Sequence, residues 1–265
     1  MNRNSLEQIW AITKKELRLE TRFWLPFISS IFLNPVKTAA WFFIVYFGFF
    51  TAGSVGLGSF TRETYILFIL IGGLFQIFFT LATTDFANKF LCEKYWQTIQ
   101  SIIIMPIHIF KLVLGLSLEE IIKASLAMMV FIGLGLLVWP TNPWTVMIII
   151  SIILIIFLGL MFLGLLRAAF VLINENVNTI FEYGFLFLGF ISCFYYPIEA
   201  FPSFLRPLIF YNPIYQGINL VRNLWLGQSF DWTVFAYLSI WTILTAIFST
   251  FLYNRLLKKY DLQGY

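Results

Sequence analysis

Long runs without a charged side chain constrain the fold of this chain more than any other feature of its sequence. Four segments of 20 to 24 residues contain no Asp, Glu, Lys or Arg, and they cover residues 38–61, 65–84, 144–166 and 232–254. A helix needs about 20 consecutive apolar residues to cross the hydrocarbon core of a bilayer, and it satisfies its backbone hydrogen bonds internally. Each run therefore predicts one transmembrane helix.

Two further segments, residues 112–139 and 173–195, are long enough to span a bilayer but include ionisable side chains. These side chains are Glu119, Glu120, Lys123, Glu175 and Glu182. The whole chain is 60% hydrophobic and 11% charged, whereas soluble domains are about 25% charged. This composition excludes a soluble or disordered protein. We predict an all-α polytopic membrane protein, in which six transmembrane helices form a single domain over residues 1–265.

The distribution of basic residues predicts the orientation of these helices. With both termini in the cytoplasm, 12 of the 17 Lys and Arg residues fall in cytoplasmic segments and 3 fall in outer segments. Cytoplasmic loops of membrane proteins carry an excess of Lys and Arg. We therefore expect a multi-pass protein of the cytoplasmic membrane with both termini on the cytoplasmic side.

The N-terminal segment, residues 5–22, has the pattern of a basic amphipathic helix. Leu6, Ile9 and Trp10 recur at helical spacing on one face, and most of the basic residues take other faces. A helix of this kind lies in the membrane plane with its apolar face among the lipid headgroups. Packing against a partner protein is the alternative, and both interactions are compatible.

Two connecting segments have unusual compositions. The cytoplasmic segment 85–111 is amphipathic and contains Pro106, which fits either a docking surface for a cytosolic partner or an ordinary linker.

The outer segment 196–231 contains four prolines yet is largely apolar, and its uncharged run of 15 residues is too short to span a bilayer comfortably. This outer segment predicts a re-entrant or interfacial hairpin.

The sequence contains no motif for catalysis or for cofactor binding. It lacks G-x-x-x-x-G-K-[ST], the loop that holds the phosphates of ATP. His108 is the single histidine, which argues against a metal site built from several histidines. We therefore expect no enzymatic activity, no cofactor or metal bound by this chain, and no nucleic acid partner.

The segment that follows the second span resembles a known family. Glu93, Trp96 and Thr98, followed by Pro106 and Gly115, resemble the pattern after the second span of type-2 ATP-binding-cassette (ABC) export permeases. The outer segment is similar to the outer re-entrant region of that family in positions that include Pro197, Glu199, Pro202, Arg206 and Pro213. Together with the N-terminal helix and the six spans, the resemblance covers essentially the whole chain.

The resemblance implies that residues 85–111 contain a coupling helix, which inserts into a separate ATPase subunit that binds ATP and Mg²⁺. The residues implied in this contact are Glu93, Trp96, Thr98, Ile99 and Pro106. The family often has a second acidic residue near Gln100, and this chain departs from that pattern. The resemblance also implies that two copies of the chain associate as a homodimer around the transport path.

The expected cargo is an amphiphilic molecule that moves outward across the membrane. Aromatic residues crowd the first and fifth predicted spans. Aromatic walls suit sugars and lipid tails, and aromatic packing within the helix bundle is the alternative explanation. A lipid-linked glycan or glycolipid is the leading candidate, and a drug-like compound or a membrane lipid is the alternative.

Ionisable residues within the spans are candidates for a polar substrate path, and they are Glu119, Glu120, Lys123 and Glu182. A structural ion pair is the alternative, because Glu119 and Lys123 are four residues apart and share one helix face. Glu120 is expected to point elsewhere, toward the headgroups. An integral membrane lipid-modifying enzyme that uses Glu119, Glu120 and His108 is the alternative function, and an ion channel is a third.

Overall fold

A computed structural model describes residues 3–25, 62–95 and 108–261, together with Ile28, Ala40 and Ile44. The described residues form helices and turns and no β-strand, as the sequence predicts. The first predicted span, residues 38–61, lies outside the described residues except for Ala40 and Ile44.

Nine α-helices follow one another along the described parts of the chain. They are α1 (Arg3–Arg22), α2 (Arg62–Thr80), α3 (Phe86–Tyr95), α4 (Ile109–Val138), α5 (Pro143–Ile173), α6 (Val177–Phe190), α7 (Arg206–Phe210), α8 (Pro213–Trp225) and α9 (Trp232–Asp261). A π-helical segment, Leu81–Asp85, joins α2 to α3, and a short 3-10 turn, Ile198–Ala200, precedes α7.

Three of the described helical segments are long and apolar enough to cross a membrane: Thr64–Cys92, Pro143–Ile173 and Trp232–Leu256. The two halves of α4, Ile109–Ser125 and Ala127–Val138, meet at a bend of 48°. They provide a fourth span if the bent pair is counted as one helix. The described residues therefore support a membrane-embedded helical protein. The number of six spans stays a prediction.

The predicted fifth span, residues 173–195, is helical only in its middle. Helix α6 has 14 residues, so it is about 21 Å long at 1.5 Å per residue and shorter than a hydrocarbon core of about 30 Å. A turn precedes it, in which the Asn174 side chain accepts the N–H of Asn176 at 3.0 Å. At the other end Cys193 has a φ of 54°, which a right-handed helix cannot contain. Hydropathy alone does not detect these turns.

Helix α5 lies at the centre of the bundle and is buried along most of its length. Pro143 is in its first turn, and the side chain of Asn142 accepts the N–H of Trp144 at 3.2 Å. Both residue types favour the start of a helix. Helix α9 packs beside α5, where the Thr242 hydroxyl donates to the carbonyl of Ile155 at 3.2 Å. Helices α2, α3 and α8 also pack on α5.

Helix α1 covers the predicted N-terminal segment and packs along the first half of α4. Three hydrogen bonds join them in sequence order: Lys111 to Gln8 at 2.8 Å, Thr13 to the Gly115 carbonyl at 2.8 Å, and Lys123 to Glu20 at 3.0 Å. Since both residue numbers rise together, the two helices run in the same direction. Leu6 and Trp10 remain more than half exposed, and the placement of this face at a membrane surface stays a prediction.

Candidate functional site

A cleft of about 870 Å³ lies between α2 and α6. One wall consists of α2 and the π-helical segment, and the other consists of α6 and the turn that follows it. The cleft side chains include Gln76, Thr80 and Thr84 from the first wall and Phe185, Phe190 and Tyr195 from the second. We call the end of the cleft near the start of α6 the inner end, and the end near Tyr195 the outer end.

The α2 wall presents neutral hydrogen-bonding groups on an otherwise apolar helix. Gln76, Thr80 and Thr84 are spaced four residues apart, and all three line the cleft. The Thr80 hydroxyl donates within the helix to the carbonyl of Gln76 at 3.0 Å. Its oxygen can still accept a hydrogen bond from a bound molecule.

The opposite wall is aromatic. Phe185 of α6 meets Phe79 of α2 edge to face, with 6.2 Å between the ring centroids. Phe79 also meets Phe194 of the following turn edge to face, at 5.7 Å. Ring surfaces of this kind can bury apolar groups or stack against flat faces of a ligand. The cleft therefore combines a neutral polar wall with an aromatic wall.

Arg167 of α5 closes the inner end of the cleft. It is 1% exposed, and its guanidinium donates to the carbonyl of Thr83 at 3.0 Å. It also donates to the Asn178 side chain at 2.9 and 3.0 Å and to the Glu182 carboxylate at 3.1 Å. Asn178 in turn donates to Glu182 at 2.9 Å. Of the predicted polar-path residues, Glu182 is the one that lines this cleft.

The Thr83 carbonyl that Arg167 binds lies within the π-helical segment, Leu81–Asp85. A π-helix bonds residues five apart, and single turns of this kind are frequent at functional sites. Thr83 itself is buried, and its hydroxyl donates to the carbonyl of Phe79 at 2.7 Å. Neither the π segment nor the role of Arg167 follows from the sequence alone. The one available signal was a cationic residue directly after a charge-free run.

Arg222 of α8 lies at the outer end of the cleft. Its side chain is buried, and its guanidinium donates to the carbonyls of Phe194 at 2.8 Å, Phe68 at 3.1 Å and Cys193 at 3.2 Å. The guanidinium carbon also lies 3.3 Å from the centroid of the Phe68 ring.

The turn after α6 is held close to α2 at this point. A Cβ atom added to Gly72 would collide with the carbonyl oxygen of Phe194, so only glycine permits this approach. Asn212 supports the same turn, because its side chain donates to the carbonyl of Ile191 at 3.2 Å and to the Ser192 hydroxyl at 3.0 Å. The turn is therefore fixed by α2, α8 and the segment before α8.

A second cluster of charges lies between α1, α3 and α4, away from the cleft. Lys123 pairs with both Glu119 and Glu120 at 3.0 Å, so the ion pair expected from helical spacing is present. Lys89 of α3 also pairs with both glutamates, with 2.6 Å to Glu120. Lys123 pairs in addition with Glu20 of α1 at 3.0 Å.

The prediction that Glu120 points away from this pair is wrong. Both glutamate side chains are fully buried, and Lys89 reaches them from another helix. Helical spacing identifies partners on the same helix, whereas Lys89 lies on α3. The cluster joins three helices, and none of Glu119, Glu120 and Lys123 lines the cleft.

The end of α3 contacts the turn before α6. Lys94 pairs with Glu175 at 2.9 Å, and the Tyr95 hydroxyl donates to the other carboxylate oxygen at 3.2 Å. These hydrogen bonds lower the pKa of the Glu175 carboxyl. Of the predicted coupling residues, Glu93 lies in α3, and the others lie outside the described residues: Trp96, Thr98, Ile99 and Pro106.

The predicted outer residues form the connection between the turn and α8. Arg206 donates to the carbonyls of Phe201 at 3.0 Å and Glu199 at 2.9 Å, which closes the loop around Pro202. Pro197 precedes the 3-10 turn, and Pro213 occupies the first turn of α8. These residues shape the segment that carries Arg222, while Arg222 itself contacts the cleft wall.

Comparison with known proteins identifies no family, because no family model matches the chain and no curated protein matches it significantly. Among the described residues, no three His, Cys, Asp or Glu side chains are arranged to hold a metal ion. The cleft and the two arginines at its ends are therefore the features from which a function can be inferred.

Proposed function

We propose that this chain is the membrane-spanning subunit of an ABC exporter that moves an amphiphilic molecule across the cytoplasmic membrane. The observation that carries the proposal is the cleft between α2 and α6, with one neutral polar wall and one aromatic wall. The resemblance of the sequence to type-2 ABC permeases supports the same function. ATP and Mg²⁺ would bind to a separate subunit.

The position of the cleft along α2 fits access from the inner leaflet. About 20 helical residues cross the hydrocarbon core, so a span that begins at Thr64 ends near Thr84. Asp85 and Lys89 follow directly, and charged residues are costly within the hydrocarbon core. Gln76 and Thr80 would therefore face the inner half of the bilayer, where an amphiphile could enter sideways.

The cleft chemistry favours a cargo with a neutral, hydroxylated head and an apolar tail. Gln76, Thr80 and Thr84 offer hydrogen bonds without charge, and aromatic rings stack on sugar faces. Arg167 is 1% exposed and already occupied by protein groups, so it is a poor partner for an anionic head. A lipid-linked glycan or glycolipid fits best, and a drug or a membrane lipid is also compatible.

The exposed side of α6 supports association of two copies. Ile180, Leu186 and Phe187 are at least half exposed on α6, and an exposed apolar surface of this kind marks an interaction site. A Cβ atom on Gly184 would meet nothing within 4 Å, and glycine in membrane helices commonly marks close helix contacts. In a homodimer, the second copy would cover this side of α6 and enclose the cleft.

The outer segment would be re-entrant in this assembly. Helix α8 has 13 residues, about 20 Å at 1.5 Å per residue, which is too short to cross a bilayer. Its last residue, Trp225, donates to the carbonyl of Trp139 at the turn after α4, at 3.0 Å. Its Gly217 faces Ile156 within α5. Helix α8 therefore enters the bundle from the same end that holds the α4–α5 turn.

Purification of the tagged chain in a mild detergent, followed by mass spectrometry, tests the proposal. A P-loop ATPase should accompany the protein in a fixed ratio. Trp96→Asp in the coupling segment should release the ATPase and leave the membrane protein intact. Trp144→Asp, which changes a 71% exposed tryptophan in the first turn of α5 at the outer end, is the matched control and should keep the ATPase.

An intact protein that repeatedly purifies without an ATPase would overturn the exporter proposal. The lipid-modifying enzyme would then become the leading alternative. Glu119→Gln and Glu120→Gln would abolish the activity of such an enzyme, whereas in the exporter they should chiefly alter stability, because both carboxylates are buried in ion pairs.

A further inference from the structure

Two arginines attach the two ends of α6 to the opposite wall of the cleft, which consists of α2 and the π-helical segment. At the inner end, Arg167 binds the Thr83 carbonyl together with Asn178 and Glu182 of α6. At the outer end, Arg222 binds the Phe68 carbonyl together with the carbonyls of Cys193 and Phe194 that follow α6. Neither arginine belongs to α2 or α6, so each bridges the two walls of the cleft.

Between its ends α6 is weakly held. None of its residues is buried, and its contacts with the bundle are largely aromatic. Phe181 meets Phe170 at 5.7 Å between ring centroids, and Phe185 meets Phe79 at 6.2 Å. Ring packing contains no hydrogen bond that fixes the position of α6, whereas the hydrogen bonds to carbonyls at its two ends fix distance and angle. The position of α6 therefore depends mainly on its two ends.

The two attachments differ in strength. Arg222 is buried and bonds to backbone carbonyls of a turn that Gly72 and Asn212 also hold. Arg167 is buried as well, but its acidic partner Glu182 is 56% exposed. Water competes for an exposed carboxylate, so such an ion pair is weak and easily exchanged. The inner attachment is the one that can open.

We propose that α6 is a hinged wall of the cleft, with its fixed end at Arg222 and a releasable latch at Arg167, Asn178 and Glu182. For its role in transport, this assignment rests on the exporter function proposed above. Helix α6 is about 21 Å long, so a rotation of about 15° at the outer end moves its inner end about 5 Å. The outer end stays in place. The cleft then opens toward the inner side alone.

The inner end of α6 is also the end that a cytosolic partner can reach. Glu175, two residues before α6, contacts Lys94 and Tyr95 at the end of α3. Lys94 and Tyr95 belong to the predicted coupling segment, residues 85–111. A displacement of that segment would therefore pull first on the latch, and the hinge at Arg222 would remain closed.

Distance measurements between spin labels on the full-length protein in lipid nanodiscs test this assignment. One label pair, at Thr179 and Asn254, measures the distance between the inner end of α6 and α9. A second pair, at Phe187 and Ala236, measures the distance between the outer end of α6 and α9. All four positions are exposed. Cys92 is exposed and is replaced by Ser, while Cys193 is buried and unreactive toward the label.

Removing the latch side chains by Asn178→Ala with Glu182→Ala should lengthen or broaden the inner distance by about 5 Å, the displacement expected for a 21 Å helix. The outer distance should stay unchanged. Glu182→Gln, which keeps the shape of the side chain, should give a smaller change. Glu199→Gln, a change in an exposed carboxylate at the outer end, is the control and should change neither distance.

An unchanged inner distance in both latch variants would overturn the latch, and equal changes at both ends would overturn the hinge. Neither outcome depends on transport or on an ATPase. If α6 moves as described but no ATPase accompanies the protein, the exporter function fails while the hinged wall stands. If the double variant does not fold, Glu182→Gln alone decides the matter.

Discussion

The hydroxyl of Thr13 donates a 2.8 Å hydrogen bond to the carbonyl of Gly115 and so joins α1 to α4. The same hydroxyl lies 3.1 Å from the carbonyl of Ile9 within α1, so it links the backbones of the two helices. Thr13 is fully buried. The N-terminal helix is therefore joined to a membrane-associated helix through its backbone and not only through its apolar side chains.

Gly115→Val should separate α1 from α4 and destabilise the protein. A Cβ atom at residue 115 would lie 2.8 Å from Cβ and Cγ2 of Ile12, and overpacking of this kind costs about 1–3 kcal/mol. The free energy of unfolding in mixed detergent–SDS micelles measures the effect. Gly133→Ala is the control, because a Cβ there meets nothing within 4 Å. Equal stabilities of the two variants would contradict the close contact.

Cys193 should tolerate glycine better than alanine. Its φ of 54° is unfavourable for residues with a Cβ atom, by about 1–2 kcal/mol. Cys193→Gly removes both this strain and the thiol, whereas Cys193→Ala removes the thiol alone. We expect the glycine variant to unfold at a higher temperature than the alanine variant. The reverse order would show that Cys193 is not strained.

The membrane-embedded helical character could be predicted from the sequence, because a charge-free apolar run of about 20 residues is typical of a transmembrane helix. The runs at 65–84, 144–166 and 232–254 all fall within helices of the structure. The ends of the fifth predicted span could not be predicted, because the turn at Cys193 depends on Arg222 and Asn212 far along the chain. The hydropathy of the sequence does not indicate turns of this kind.

Side-chain contacts could be predicted from the sequence only where both partners lie on one helix. Glu119 and Lys123 are four residues apart, and their pairing follows from helical spacing alone. Arg167 binds a carbonyl 84 residues away, and that carbonyl lies in a local π-helical segment. Neither the long-range contact nor the π segment has a sequence signature, so the latch could be identified only from the structure.

Lys89→Met should destabilise the protein strongly, because Glu119 and Glu120 would be left with Lys123 as their main counter-charge. Removing one partner of a buried ion pair costs about 3–5 kcal/mol. Adding Glu119→Gln should recover much of this loss, since one buried charge is then removed. Unfolding in SDS compares both variants with Lys15→Met, which removes a lysine that is 46% exposed and should have little effect. If Lys89→Met lowers the free energy of unfolding no more than Lys15→Met does, the ion pairs of Lys89 do not stabilise the protein.

Phe185→Ala should weaken binding of a glycolipid to the cleft. Phe185 faces the polar wall across the cleft and meets Phe79 at 6.2 Å, and an aromatic contact contributes about 0.5–1.5 kcal/mol beyond the buried area. The apparent Kd for a fluorescent lipid with one neutral sugar should therefore rise about 2- to 12-fold.

Fluorescence polarisation on the purified protein measures this change. Phe248→Ala removes a phenylalanine that is 56% exposed on α9, away from the cleft, and it should leave the Kd unchanged. Thr80→Val should also weaken binding, because it removes a hydroxyl from the polar wall and keeps its shape. A fluorescent phosphatidylglycerol should bind more weakly than the sugar lipid, since the cleft offers no free cation among its described side chains. Tighter binding of the anionic lipid, or equal losses in Phe185→Ala and Phe248→Ala, would reject a neutral, hydroxylated cargo in this cleft.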